Sequence, residues 1–196
     1  MKRTKLTAML LAAALLVTTS IAGTVAYLTS KDNVKNTFTV GKVEITLEES
    51  KVGADGKIIK GEGAAKVDKN EYKLIPGSVY EKDPVVKVDA ESEDCYLYVK
   101  EVKADQIIYT SNLVGNGWNV LKVDGATVPG VYYREVKKAD SVKSFNLIKD
   151  NTIKVNPDLT AAGMEEAAAE SIIFEAYAIQ KANIASAAEG WEILNK

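Results

Sequence analysis

The sequence contains no histidine, one cysteine, four prolines and three phenylalanines among its 196 residues. Histidine is the commonest general base near neutral pH and a leading transition-metal ligand, so its absence excludes Ser-His-Asp and Cys-His nucleophile systems outright. It also excludes the H-E-x-x-H zinc motif, and an all-carboxylate zinc site is an uncommon substitute. The lone Cys95 has no disulfide partner within the chain. Stability must therefore come from packing rather than covalent staples. Within CYLYVK the cysteine alternates in phase with Leu97 and Val99, the pattern of a buried structural thiol rather than a reactive one.

Phosphate-binding chemistry is missing too. GEGAAK and GNGW contain glycines but lack the spacing of a P-loop or a dinucleotide fingerprint, and read as turns. Two acidic runs, LEES at 47–50 and DAESED at 89–94, are the only clusters that could ligate a hard cation. Neither has calcium-loop spacing, and DAESED reads more simply as a solvated hairpin loop. The sequence thus predicts no catalytic residue, no cofactor and no metal.

What the chain does carry begins at its N-terminus. Lys2, Arg3 and Lys5 precede an uncharged run from Leu6 to Ser30, the layout of a positive n-region followed by an apolar h-region. Residues 1–26 read as an export signal. Thr24 and Ala26 stand three and one residues before a cut between Ala26 and Tyr27, and Ser20 with Ala22 offers a less favoured site. An uncut membrane anchor is the alternative, weakened by Thr18, Thr19, Ser20, Gly23 and Thr24 in the second half of the run. Removing the signal leaves 22 basic against 27 acidic side chains, a net charge of about −5. Nucleic acid is then an unsuitable partner.

Past Ser30 the dominant signal is period-two alternation with β-branched and aromatic enrichment. Val43, Ile45 and Leu47 share one parity, while Phe38 and Val40 share the other, and a bulge at Gly41 would bring both sets to one face. Further strands are predicted at 57–60, 71–75, 84–90, 95–102, 118–123, 131–136, 142–148 and 171–180. VGADGK, IPGS, VGNGW, VDGATVPG and VNPD supply the turns between them. Strand after turn after strand predicts an all-β fold, an antiparallel β-sandwich resembling a jelly roll. Two short helices are expected at its periphery. One is the alanine- and glutamate-rich 159–170, and the other carries Ile184, Ala187, Ala188, Trp191 and Leu194 at helical spacing. Tyr96 and Tyr98 fall opposite Cys95, and Tyr132 and Tyr133 face opposite ways; cross-strand packing accounts for them better than a contact surface does.

Three stretches together resemble the TasA/camelysin family of exported bacterial biofilm-matrix proteins. GTVAYLTSKDNVKNTFTVGKVEITLEE looks like the family's N-terminus, cut by a signal peptidase of the SipW type. LIPGSVYEKDPVVKV resembles its L-x-P-G element, and FEAYAIQ followed by Trp191 resembles its C-terminal strand and tail. The likeness covers about a third of the chain and reaches both ends. It implies a secreted structural subunit of an extracellular fibre, in which residues 27–40 leave their own sandwich domain, 41–196, and add a strand to the next copy. Tyr27, Leu28, Val34, Phe38 and Val40 would be the donor residues. The implied partners are other copies of the chain and the signal peptidase, with membrane contact only through an uncleaved signal. The implied location is the extracellular matrix or cell surface. The alternative is a monomeric secreted or surface-associated adhesin. The family's metallopeptidase label fits less well, because the ligands that zinc proteolysis needs are missing.

Overall fold

The computed structural model describes residues 43–73, 75–160 and 172–196, together with the backbone of residues 29–32. Its strands are β1 (Thr29–Asp32), β2 (Ile45–Ser50), β3 (Lys66–Val67), β4 (Val79–Glu81), β5 (Val85–Val88) and β6 (Cys95–Val102). They continue with β7 (Ile107–Ile108), β8 (Asn119–Val123), β9 (Ala126–Val136), β10 (Ser144–Asn146), β11 (Thr152–Val155) and β12 (Ile173–Gln180). A single α-helix among the described residues, α1 (Ala187–Leu194), ends the chain. The fold is an antiparallel, sandwich-like all-β architecture, as the alternation predicts.

Three sheets build it, in the orders β1-β12-β6-β9-β8, β10-β5-β2-β3 and β4-β11-β7. In β2 the buried positions alternate strictly, with Ile45 and Leu47 inward and Thr46 and Glu48 outward. Those inward residues meet Val86 and Val88 of β5, Leu97 and Val99 of β6, and Phe174, Ala176 and Ala178 of β12. Tyr80, Ile153 and Val155 of the small third sheet close the same core. Each fully buried aliphatic side chain here contributes roughly 1.5–3 kcal/mol of transfer free energy. The outer face of the five-stranded sheet forms a second core. Tyr96, Tyr98, Tyr177 and Ile179 pack there with Ala187, Ile184, Trp191 and Leu194. As a result β6 and β12 are buried on both faces over most of their length.

The helix holds Ala187, Ala188, Trp191 and Leu194 of the expected stripe, while Ile184 precedes it and Ser186 caps it. The Ser186 hydroxyl accepts from the Glu189 N–H at 3.2 Å, and the Glu189 carboxylate accepts from the Ala185 N–H at 2.7 Å. Its seat is tight: a Cβ on Gly190 would lie 2.4 Å from the Tyr98 hydroxyl, which donates to the Ala187 carbonyl at 2.7 Å.

Several expectations need correction. VDGATVPG is a turn only at Asp124 and Gly125, and β9 already runs from Ala126. DAESED does not close a hairpin, because β5 pairs with β2 and β10 whereas β6 pairs with β12 and β9. The run is a crossover from one sheet to another. Ile58 forms only an isolated bridge with Val52, and residues 71–73 form no strand. Tyr72 serves as a side chain instead, its ring 5.6 Å from that of Tyr80. The bulge expected at Gly41 and all but the first two residues of the helix expected at 159–170 lie outside the described residues.

Candidate assembly edge

The first and last of the described strands are neighbours. β1 pairs antiparallel with β12, with Thr29 opposite Ile179, Ser30 opposite Ala178, Lys31 opposite Tyr177 and Asp32 opposite Ala176. β12 in turn pairs along its length with β6, from Ile173 opposite Val102 to Gln180 opposite Cys95. A two-residue period then sorts the faces. Positions 30 and 32 share the register of Ala178 and Ala176, on the side of the inter-sheet core, and positions 29 and 31 share that of Ile179 and Tyr177, on the side of α1.

The two partners are ill matched in character. Ala176, Tyr177, Ala178 and Ile179 are all buried, the composition of a strand meant for the middle of a sheet. β1 reads Thr-Ser-Lys-Asp and contains no apolar residue. Backbone ladder bonds form across the pair, but the apolar cross-strand contacts that add roughly 0.2–1 kcal/mol each are not available from this sequence. Without β1, four residues of a doubly buried strand would present a bare edge, the arrangement that templates pairing with another chain.

The residues singled out from the sequence fall as follows. Ala26 and Tyr27 at the cleavage point, and Leu28, Val34, Phe38 and Val40 of the donor segment, lie outside the described residues. Only the stretch between Leu28 and Val34 is seen in part, as β1. The β12 edge itself is invisible in the sequence, because strand order is a property of non-local pairing. The one sequence signal is indirect: apart from Glu175, residues 172–179 are apolar or aromatic, too continuous for a half-exposed strand.

The remaining candidates are structural. Glu49 continues the inward parity of Ile45 and Leu47, and the Lys82 ammonium meets it at 2.6 Å with side-chain exposures of 11% and 6%. The other Glu49 oxygen accepts from the Asn70 N–H at 3.0 Å. Asp83 accepts from both the Ser50 N–H and hydroxyl, at 2.7 and 2.6 Å. In the second acidic run, Ser92 binds the Glu44 backbone, and Asp94 accepts from the Lys138 N–H at 2.8 Å. No group of three or more potential metal ligands gathers among the described residues. Burial pushes the Cys95 thiol up to about 12, with Asp94 adding to the effect and Lys143 opposing it. Tyr98, buried beneath α1, is likewise raised, chiefly by desolvation. Among the described residues no helix is long and apolar enough to cross a membrane.

Comparison with known proteins returns no matching family model, no matching curated protein and no matching solved structure.

Proposed function

We propose that the chain is a secreted structural subunit of an extracellular fibre, and that it polymerises by giving its N-terminal strand to the β12 edge of the next copy. One observation carries the reading. The N-terminal strand already lies on that edge, so the same backbone pairing made between copies requires no new type of contact. Strand addition derives affinity from main-chain hydrogen bonds and specificity from alternate side chains. A strand handed on from copy to copy without reciprocation is a heterologous contact that does not close, and such contacts propagate as filaments.

The polarity of β1 supports exchange over permanent self-pairing. Thr29, Ser30, Lys31 and Asp32 include no apolar residue, and their ladder to β12 is one that any extended segment can make, so the internal pairing is replaceable. The apolar residues of the segment, Tyr27, Leu28, Val34, Phe38 and Val40, flank β1 in sequence and are the groups that a longer intermolecular strand would offer. Cleavage between Ala26 and Tyr27 would free its leading end. On this reading the fibre contains copies of one chain, no cofactor and no catalytic centre, and it sits in the matrix or at the cell surface.

Deleting residues 27–40 from the mature protein tests the proposal. The shortened protein should remain folded by circular dichroism and form no filaments in electron micrographs. Filaments as abundant as those of the intact protein would refute the donor role.

A further inference from the structure

Arg134 is an anomaly in this fold. It stands opposite Leu97 in the β6–β9 ladder, and its guanidinium carbon lies 3.8 Å from the Phe145 ring centroid and 5.3 Å from that of Trp118. Its Nε is buried without a hydrogen-bond partner. The guanidinium forms no ion pair with any described residue. Desolvation lowers its basicity, and Asp140, the one acid acting on it, is engaged in accepting from the Lys137 N–H at 2.9 Å. A cation in this position is short of a counter-ion.

Against that cation lies the one Asn-Gly step in the sequence, Asn116–Gly117. A Cβ placed on Gly117 would be 3.2 Å from an Arg134 terminal nitrogen, and the glycine adopts φ +79°, a conformation side-chain-bearing residues avoid. Asn116 is exposed, and its amide is held only by long contacts of 3.3 and 3.5 Å to Asn112. The Gly117 N–H makes no hydrogen bond to a described residue. Asn70 shows the contrast: its amide is fixed by bonds of 2.9 and 2.8 Å, and the bulkier Glu71 follows it.

We propose that Asn116–Gly117 is a site of spontaneous deamidation, and that the carboxylate formed there becomes the missing counter-ion of Arg134. The Gly117 nitrogen, unshielded by any Cβ, attacks the Asn116 side-chain carbonyl carbon. A bond forms between them, the nitrogen gives up its proton to water or hydroxide, and the amide nitrogen departs as ammonia. Water then opens the five-membered imide at either carbonyl, leaving aspartate or isoaspartate and restoring the peptide N–H. The positive guanidinium beside Gly117 favours both the anionic addition intermediate and the anionic product.

Two measurements test this. Intact mature protein is aged in warm, mildly alkaline buffer and digested with trypsin, which releases residues 104–122 as one peptide. Residue 116 should gain about 1 Da and split into two isomers, while Asn116→Gln protein gains nothing there. No gain at 116, or faster gain at another asparagine, overturns the site. Separately, Asn116→Asp should raise the melting temperature by roughly 2–4 °C at low salt, an increase lost in high salt. The same substitution in an Arg134→Gln background should give no increase. An equal rise in both backgrounds, or a rise indifferent to salt, overturns the pairing with Arg134, and the salt series decides the matter even where Arg134→Gln protein fails to fold.

Discussion

At the scale of single residues, the acids that look like a ligand cluster in the sequence are divided between inside and outside by strand parity. Glu48 faces out and meets Lys87 at 2.7 Å, whereas Glu49 faces in and is satisfied by Lys82 and the Asn70 N–H. A buried charge stripped of its partner is left desolvated, so Lys82→Met should lower stability by about 3–5 kcal/mol in urea unfolding, with Glu49→Gln in the same protein recovering part of the loss. If Lys82→Met costs less than about 1 kcal/mol, the pair is better solvated than its geometry implies. Cys95 sets an alkaline limit. Its thiol is fully buried and its pKa is raised from 9.0 to about 12, chiefly by desolvation. A raised folded-state pKa gives stability that is complete below the unfolded value and is lost as pH rises toward the folded one. Stability should therefore fall between pH 9 and about 12, with a limiting slope of about 1.4 kcal/mol per pH unit from this thiol. Cys95→Ala protein should show a shallower decline from pH 9 to 10, before the buried tyrosines add their own loss, and identical slopes would show that the thiol ionises freely in the fold.

At the scale of elements, α1 is the piece whose docking is most exposed to a single change. Tyr98 and Tyr177 both hold the Trp191 ring at a centroid distance of 5.4 Å, and Gly190 lets the helix backbone descend onto the Tyr98 hydroxyl. Gly190→Ala gains helix propensity of about 1 kcal/mol yet places a methyl group where 2.4 Å separates it from that hydroxyl. Steric conflict should win by about 1–3 kcal/mol, seen as a lower denaturation midpoint and a rise in near-ultraviolet tryptophan mobility. An unchanged midpoint would mean that the helix shifts outward at no cost. Which elements were legible in the sequence follows from the same local physics. β6 is marked by alternation and matches its predicted span, and the C-terminal helix is marked by its apolar spacing. β4, β7 and β11 are two to four residues long, too short for any period to register. The sequence pattern starts β9 late because Pro129 and Gly130 lie within it, and Gly130 there has φ +69° with the Glu101 carbonyl 2.5 Å from where a Cβ would be. A turn former inside a strand marks a close backbone approach, which only the paired strand reveals.

At the scale of the whole molecule, the pairing of β1 with β12 joins residues almost 150 positions apart, and no local pattern encodes such a neighbour relation. The N-terminal segment could be suspected from its sequence, but the edge that receives it could not. That register makes the exchange testable without imaging. Opposed residues in an antiparallel ladder have Cα atoms about 4.5–5.5 Å apart, inside the range a disulfide can bridge. Ser30 and Ala178 are such a pair. One protein carrying Ser30→Cys and a second carrying Ala178→Cys, mixed before assembly and then oxidised, should yield a disulfide-linked heterodimer on a non-reducing gel. The link forms only where the strand of one copy lies on β12 of another. Replacing the second variant with Tyr177→Cys shifts the thiol to the opposite face of the sheet, and the dimer should then be scarce. Cys95 is buried and protonated, so it contributes little background at neutral pH. A dimer that forms equally with either acceptor position would reflect random collision, and its absence from assembled filaments would mean that β1 stays on its own sheet and that another surface joins the copies.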